Sequence, residues 1–498
     1  MLKGFTRKFK PLDILTPEEL EAVHRGALYT LEKTGMRVDH DATLTLCAQS
    51  GCQVDVGAKR VRMPPWLVEE SLRRCPSHYL LKARNRDQDL MVGGNTVYFM
   101  QGMGMRHLDL ETWEARPAMA REHKQAMVVA DALENVHLAD GVFFYMEREK
   151  IPPVMVMLEN LASGLRYSSK AEQFGYQRDC EIFAIQMAEA LGINLNPELD
   201  SAAPLTIYGG ALDAAFRYVQ AGIPIEPTVT IGLGSAGPAT LAGSLVLATA
   251  MIMGWTVLVQ LIRPGAPMSI QQGMSPADMR TGYGRVATPL DSLGGTIINQ
   301  MLRRYEIPSC SSAGFSSNSR KIDYQVGYEK ALGTLIDAMS GGHLLIFQGG
   351  SGGELLYNPV LSILDDDIAG WVGRFLEGVS VTDETLAIDL INQIGPIPGH
   401  YLSSAHTREW WRREQYSPKV ASHEPYPEWI ASGKRDALML AQERMQEILA
   451  THKPLPLTPG EEEALERILC EARDYYRKRG EISDDEWSQY MNALEAAD

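Results

Sequence analysis

Short apolar segments of strand length alternate with segments of helix length through the middle of this chain. Four strand-like runs between Glu226 and Gly353 are Thr228–Leu233, Thr256–Ile262, Ser309–Ala313 and Leu344–Gln348. Strands buried on both faces of a sheet have this continuous apolar character, and alternation with helices is typical of a parallel sheet. The pattern therefore predicts β/α architecture.

The same alternation extends towards the N-terminus. Four earlier runs, each followed by a helix-length segment, are Thr96–Gln101, His137–Tyr145, Leu165–Ser169 and Leu205–Gly209. Eight strand–helix units over about 250 residues are typical of a (β/α)8 TIM-type barrel, the α/β fold class that we predict. The alternative is a doubly wound open sheet. The barrel requires eight parallel strands near Tyr98, Phe143, Tyr167, Thr206, Val229, Leu258, Cys310 and Leu345.

The segments on either side of the barrel have a helical pattern. Thr16 to Glu19 combine an N-cap threonine, a first-turn proline and a capping-box acid, which predicts a helix start. We predict an α-rich N-terminal cap with hairpins over residues 1–90, the catalytic barrel over residues 91–395, and a helical C-terminal extension over residues 396–498. The extension has the character of an appendage, a lid or a dimerisation element.

Charge and cysteine content exclude several classes of function. The formal net charge is −16 and no stripe of lysine and arginine occurs, which argues against a nucleic-acid partner. The six cysteines are scattered without a CxxC pair, so we predict reduced thiols in a cytoplasmic protein and no metal site.

One long run, between Glu226 and Arg263, contains no charged residue. Pro238, Gly243 and Gly254 interrupt it. A buried helix next to a buried strand explains the run better than a membrane span does, so we expect no membrane association.

A glycine motif also occurs in this region. Gly232–Gly237 matches GxGxxG, follows a strand-like run and precedes a helix-like one, as in dinucleotide-binding turns. That fingerprint needs an acid about 20 residues further on, yet the next acid after Glu226 is Asp278. We therefore expect no nicotinamide site.

No carboxylate pair stands out in the sequence either, which favours a reaction that depends on positioning and charge rather than on proton transfer.

Functional residues of a barrel lie at the carboxyl ends of its strands. At these ends of the predicted strands, aromatic residues are frequent and glutamines accompany them. An aromatic rim is typical of a pocket for a small cation. The candidate substrate-binding residues are Tyr98, Gln101, Phe144, Tyr208, Arg263, Ser312, Phe347 and Gln348.

Longer motifs in the second half of the chain match a known family. They are Gly327–Glu329, Gly341–Leu344, Asp365–Ile368, Glu384–Ala387 and Gly399–Leu402. With them, nearly the whole chain resembles the trimethylamine methyltransferase family. The resemblance implies a (β/α)8 barrel that moves a methyl group from a methylated amine to cob(I)alamin on a separate, cognate corrinoid protein, without a tightly bound cofactor of its own.

The chain departs from the trimethylamine enzymes because it contains no pyrrolysine. It is similar instead to the branch without pyrrolysine, which implies a quaternary amine such as glycine betaine as substrate. After it loses a methyl group, a quaternary ammonium leaves as a neutral tertiary amine, so the leaving group needs no proton. Alternatives are proline betaine, carnitine or γ-butyrobetaine as substrate, or a barrel that binds betaine without catalysis.

If the substrate is a trimethylammonium carboxylate, the strand-end candidates divide into two sets. Tyr98, Phe144, Tyr208 and Phe347 would face the cation. Gln101, Arg263, Ser312 and Gln348 would bind the carboxylate of the substrate. Gly349 and Gly350, at the start of the turn after the last strand, would contact the cofactor of the partner. We also expect a homo-oligomer.

Overall fold

Eight parallel strands, each followed by a helix, form a closed barrel in the computed structural model, which describes residues 4–102, 104–140 and 150–495. The strands are β1 (Thr96–Gln101), β2 (Leu138–Asp140), β3 (Ala171–Phe174), β4 (Leu195–Asp200), β5 (Glu226–Leu233), β6 (Ile270–Pro276), β7 (Ser309–Ser311) and β8 (Leu344–Gln348). The helices are α1 (Ala120–Ala132), α2 (Val156–Tyr167), α3 (Cys180–Leu191), α4 (Gly209–Gln220), α5 (Leu241–Ile262), α6 (Pro289–Tyr305), α7 (Tyr324–Ser340) and α8 (Pro359–Leu376). Leu344 of β8 lies opposite Tyr98 of β1, and this pairing closes the barrel.

The predicted fold class is confirmed, but three strand positions are wrong. The run Leu165–Ser169 contains the end of α2 at Tyr167. The run Leu205–Gly209 contains Thr206–Ile207, which pairs with Met36–Val38 in an outer sheet. The run Thr256–Ile262 is the second half of α5.

Polar side chains explain these errors. The true strands β3, β4 and β6 read AEQF, LNPELD and IQQGMSP. Their alternate residues face the barrel interior, where they are acids and amides rather than aliphatic groups. The strands therefore lack the apolar run that marks a buried strand. The predicted run His137–Tyr145 includes β2, and its remaining residues, 141–145, lie outside the described residues.

The N-terminal segment covers one side and the bottom of the barrel. Its helices and strands are Pro17–Lys33, Asp41–Gln49, Pro65–Arg74 and the 3-10 turn Arg86–Gln88, with strands Phe5–Thr6, Met36–Val38, Gln53–Asp55, Arg60–Arg62, His78–Leu81 and Leu90–Gly93. The last two strands form a hairpin. Its Tyr79, Leu81 and Leu90 pack in one buried cluster with Leu138 and Leu344 of the barrel. This hairpin fills the amino-terminal end of the barrel, and we refer to it as the plug hairpin.

Helix α5 is the one described helix that is long and apolar enough to cross a membrane, by length and composition. It packs against the cap helices Pro17–Lys33 and Pro65–Arg74, and Trp255 at its centre has no exposed surface. Helix α5 is apolar because it is buried beneath the N-terminal segment.

The C-terminal segment consists of helices. They are Asp383–Leu386, Ile388–Ile394, Ala405–Glu414, Tyr426–Ala431, Ala437–Thr451, Pro459–Lys478 and Asp484–Glu495. Ala437–Thr451 packs on α8 and α1, and Pro459–Lys478 packs on α3. The four short helices before them bury no residue. Asp367 of α8 anchors this exposed part, because its carboxylate accepts hydrogen bonds from the Tyr416 hydroxyl and from the amides of Lys419, Val420 and Ala421.

Candidate active site

A cavity of about 340 Å³ lies at the carboxyl ends of the barrel strands. Strands β4, β5 and β6 each contribute alternate residues, which share the inner face of the barrel. The lining residues are Met105, Glu198, Asp200, Thr228, Thr230, Gln271, Gly273, Ser275, Val286, Asp291, Ser312, Phe315, Ser316, Ile346 and Glu354. This end of the fold carries the active site in barrel enzymes, and the volume suits a small molecule.

Four carboxylates line this cavity, and the lining residues include no arginine, lysine or histidine. Glu198 accepts hydrogen bonds from Gln271 Nε2 at 2.8 Å and from Thr228 Oγ1 at 3.2 Å. Asp291, in the first turn of α6, accepts from the Ala287 amide at 2.9 Å. No ion pair joins any of the four carboxylates to a described cationic side chain. The cavity is therefore an anionic site without a protein counter-charge among the described residues.

Further acids lie deeper in the barrel. Glu226 accepts from Ser269 Oγ at 2.9 Å, and Gln173 Nε2 lies 3.4 Å from Glu226 Oε1 and 3.3 Å from Glu198 Oε2. Asp140 Oδ2 and Glu172 Oε1 are buried with no hydrogen-bond partner among the described residues. Buried carboxylates without counter-ions repel one another, and a cation placed among them would relieve that repulsion.

Burial raises the pKa of these groups. It raises the pKa of Asp140 to about 7, with a smaller contribution from the charge of Glu226. Burial also raises the pKa of Glu226 and of Asp291 to about 7. The pKa values of Glu198, Asp200 and Glu354 lie above the ordinary range for the same reason. No carboxylate pair stood out in the sequence, and the structure brings this cluster together from separate segments.

Glu354 is held in an uncommon backbone conformation. Its φ of 72° lies in the left-handed region, which costs a non-glycine residue about 1–3 kcal/mol. Its amide donates to Ser316 Oγ at 2.9 Å. The turn after β8 thereby places the Glu354 carboxylate in the cavity. Backbone strain of this kind is concentrated at functional sites.

A buried ion pair fixes the loops around this carboxylate. Lys330 of α7, with no exposed surface, lies 3.2 Å from Asp365 of α8. Its ammonium also donates to the carbonyl oxygens of Phe315, Phe347 and Gly350, at 3.1, 2.6 and 2.8 Å. One lysine thus joins the ends of β7 and β8 to the turn that carries Glu354.

Two of the predicted substrate-binding residues lie at or beside the cavity. Ser312 lines it. Gln348, two residues beyond the lining residue Ile346, is fully buried, and neither of its amide atoms has a partner among the described residues. Gln101 is committed elsewhere: its Nε2 donates to the Tyr357 hydroxyl at 2.7 Å, and its Oε1 accepts from the Asp140 amide at 3.1 Å.

Four of the predicted residues lie elsewhere. Tyr98 is in the lower half of β1, where its hydroxyl accepts from the Met91 amide of the plug hairpin. Phe347 packs outside the barrel against Phe99, with ring centroids 6.1 Å apart. Tyr208 precedes α4 and Arg263 follows α5, and neither lies at the end of a barrel strand. None of the four lines the cavity. Tyr98 lies towards the start of its strand, the predicted strands before Tyr208 and Arg263 are not barrel strands, and Phe347 falls on the outer face.

The other candidates are backbone groups or undescribed residues. Phe144 lies outside the described residues. The Gly349 amide donates to Asp365 Oδ2 at 2.8 Å, and the Gly350 carbonyl accepts from Lys330. Both groups hold the turn in place.

The Gly232–Gly237 turn is closed on itself. The amides of Ser235, Ala236 and Gly237 donate to the Gly232 carbonyl, and the Gly234 amide donates to the Gly237 carbonyl. Helix α5 begins only at Leu241. These four amides are therefore not directed at a phosphate, as a dinucleotide site requires.

Sequence reasoning missed the residues that define the site. Glu198 and Asp200 alternate with Pro197 and Leu199 in a segment that has strand periodicity but little apolar content. A search for alternating acids after a predicted helix would have found them. Lys330 and Asp365 carry no such signal, because their pairing depends on how α7 and α8 pack.

Fold and cavity together define a barrel enzyme with an anionic site at the strand ends. The chain belongs to the trimethylamine methyltransferase (MTTB) family, whose model matches residues 1–475. It is a methyltransferase, as its relatives are named.

Two relatives from Desulfitobacterium hafniense match over nearly their whole length. The chain is 29% identical over 473 residues to a glycine betaine methyltransferase of strain Y51, covering 92% of this chain and 97% of that protein. It is 28% identical over 471 residues to a trimethylamine methyltransferase MttB of strain DSM 10664 / DCB-2, covering 92% and 94%. Among solved structures, the monomethylamine methyltransferase MtmB of Methanosarcina barkeri matches with a TM-score of 0.48 and 11% identity, covering 92% of each chain.

Proposed function

We propose that this methyltransferase transfers a methyl group from a quaternary ammonium compound to cob(I)alamin on a separate corrinoid protein. The observation that carries the proposal is the cavity with four carboxylates and no basic lining residue. A permanently charged ammonium supplies the missing counter-charge, and Phe315 offers an aromatic ring to the same cation.

The residues of the cavity bind and orient the substrate in this proposal. As co-substrate, the corrinoid supplies the electron pair that bonds to the methyl carbon, while the electrons of the C–N bond remain on nitrogen. The departing amine is neutral, so the cation that neutralised the carboxylates disappears during the reaction. A carboxylate of the cavity can then bind a proton to restore neutrality.

Glycine betaine, giving dimethylglycine, is the substrate that the relatives favour, since one of them is named as a glycine betaine methyltransferase. Proline betaine, carnitine and γ-butyrobetaine have the same charges and are the alternatives. A barrel that binds such a compound without transferring its methyl group is the remaining candidate.

The test is to mix the purified protein with free cob(I)alamin and each quaternary amine, and to follow methylcobalamin by absorbance. Conversion that depends on the protein supports the proposal. If calorimetry detects binding of an amine but no amine yields methylcobalamin, with either free cob(I)alamin or a corrinoid protein, the protein is a binding barrel.

We also propose that the protein is a homo-oligomer located in the cytoplasm. The support for an oligomer is the exposed apolar surface of the C-terminal segment, where Ile397 is 93% and Leu402 86% exposed. The support for the location is that all six cysteines are free thiols. Sedimentation at several protein concentrations tests the oligomer.

A further inference from the structure

We infer that the cavity selects quaternary ammonium compounds that carry no carboxylate, a class represented by choline and tetramethylammonium. This inference rests on the proposed function and names the substrate class of the same site. It differs from what the betaine-type relatives suggest, and the charge and hydrogen bonding of the cavity carry it.

The first step concerns charge. Glu198, Asp200, Asp291 and Glu354 line a space of about 340 Å³. A betaine is neutral as a whole, so it leaves the charge of the cluster unchanged and brings its own carboxylate within reach of the four. A choline or tetramethylammonium ion adds a positive charge and no negative one. Inside a cavity of low dielectric, this difference in net charge between the two kinds of ligand has a large effect on the free energy of binding.

The second step concerns donors. A bound carboxylate needs hydrogen bonds or a cation. Ser312 Oγ donates to the Gln272 carbonyl at 2.9 Å, and Ser316 Oγ lies against the Glu354 amide and the Ser317 carbonyl. The ammonium of Lys330 is directed at three carbonyls and Asp365. Neither these two serine hydroxyls nor the Lys330 ammonium is therefore free to hold a carboxylate. The hydroxyls of Thr230 and Ser275 and the amide of Gln348 are neutral donors, and they do not offset the charge of a carboxylate placed among the four acids.

Three amides of the turn after β8 are engaged as well. The Gly349 amide donates to Asp365, the Gly352 amide to the Ser319 carbonyl and the Gly353 amide to the Ser317 carbonyl. Arg263 terminates α5, and its guanidinium lies 3.4 Å from the Val219 carbonyl at the end of α4. These helix ends lie at the amino-terminal end of the barrel, opposite the cavity.

A buried amide beside the site suits a neutral tail. Gln348 has no exposed surface, and both atoms of its amide lack partners among the described residues. A primary amide can donate to and accept from a hydroxyl group. A ligand with a cationic head and a hydroxyl tail matches this combination of acids and amide.

The reaction balances without a further reactant. The bond between nitrogen and one methyl carbon breaks, its electrons stay on nitrogen, and the Co(I) electron pair forms the new bond. Choline leaves as the neutral dimethylamino alcohol and tetramethylammonium leaves as trimethylamine.

The test compares choline, tetramethylammonium and glycine betaine as methyl donors to cob(I)alamin, and measures the binding of each by calorimetry. We expect kcat/KM for choline or tetramethylammonium to exceed that for glycine betaine at least tenfold, with the same order of affinities. Asp200→Asn and Glu198→Gln should each reduce this preference. Glu189→Gln, which alters an exposed acid on α3, should leave it unchanged.

The selectivity inference and the proposed function can be refuted independently of each other. If glycine betaine is the better donor and binds more tightly, the selectivity inference is wrong while methyl transfer stands. If none of the three donors is demethylated, the proposed function fails, and the calorimetric order of affinities still decides the charge selectivity. Melting temperatures of the variants within a few degrees of the wild type show that folding is not the cause.

Discussion

Replacing Lys330 with methionine tests whether the buried ion pair organises the active site. The substitution keeps the length of the side chain but removes an ammonium that contacts Asp365 and three carbonyl oxygens. It leaves a buried carboxylate and three buried carbonyls with fewer partners. Removing one member of a buried ion pair typically costs about 3–5 kcal/mol.

Protonation of Asp365 limits this cost. Burial already raises its pKa to about 6, although Lys330 acts against that rise. Without Lys330 the pKa rises further, so Asp365 in the variant binds a proton more tightly when folded than when unfolded, where its pKa is about 3.9. The destabilisation should therefore be smallest near pH 4–5 and should grow as the pH rises through the folded pKa.

Urea unfolding followed by circular dichroism, at pH 5 and pH 8, measures this cost. Lys170→Met is the matched control, because Lys170 is also buried and donates to two carbonyls, those of Ala130 and Leu133, at the opposite end of the barrel. Both variants should lose stability, but only Lys330→Met should lose methyl transfer in samples that remain folded. Wild-type stability of Lys330→Met, or an equal loss of activity in both variants, would refute the reasoning.

Four further predictions concern other parts of the molecule. No micromolar NAD(H) binding is expected at the Gly232–Gly237 turn, and calorimetric detection of it would contradict the closed geometry. The affinity for a quaternary amine should rise as the pH increases through about 7, because groups such as Asp291 must ionise to bind the cation. Below pH 7 the affinity should fall by up to about tenfold per pH unit. An affinity that does not change from pH 5.5 to 8.5 would show that ionisation of these groups is not coupled to binding. Glu354→Gly should stabilise the fold by about 1 kcal/mol by relieving its positive φ while lowering methyl transfer, and Glu354→Gln should lower activity without the gain in stability. Asp367→Ala should speed proteolysis of the exposed C-terminal helices without changing the cleavage of the barrel, so an unchanged digestion pattern would count against the anchoring role.

The sequence predicted the fold where burial and local pattern agree. Strand β8 has the predicted bounds Leu344–Gln348, because all five residues are buried and four are apolar. Thr16 caps a helix as predicted, because a capping box is a local motif. Strands β4 and β6 were missed because they carry polar residues to the barrel interior.

The site was predicted less well because it depends on register and packing. Ser312 lines the cavity and Gln348 lies beside it, whereas Phe347, one position before Gln348, packs on the outer face of the barrel. The acidic cluster joins residues from β4, from the start of α6 and from the turn after β8, and no local pattern records that Glu198 and Asp291 line one space.

The plug hairpin has a consequence for the order of events in catalysis. Because Tyr79, Leu81 and Leu90 fill the amino-terminal end of the barrel, the cavity opens towards the carboxyl ends of the strands in the part of the chain that the structure describes. In the proposed transfer, the amine and the corrinoid protein would use the same entrance, and the larger partner would block it once seated. The amine would have to enter first, and its demethylated product would leave only after the corrinoid protein departs. Turnover would thus follow a compulsory sequence, in which a high concentration of unmethylated corrinoid protein traps the empty enzyme and slows the reaction.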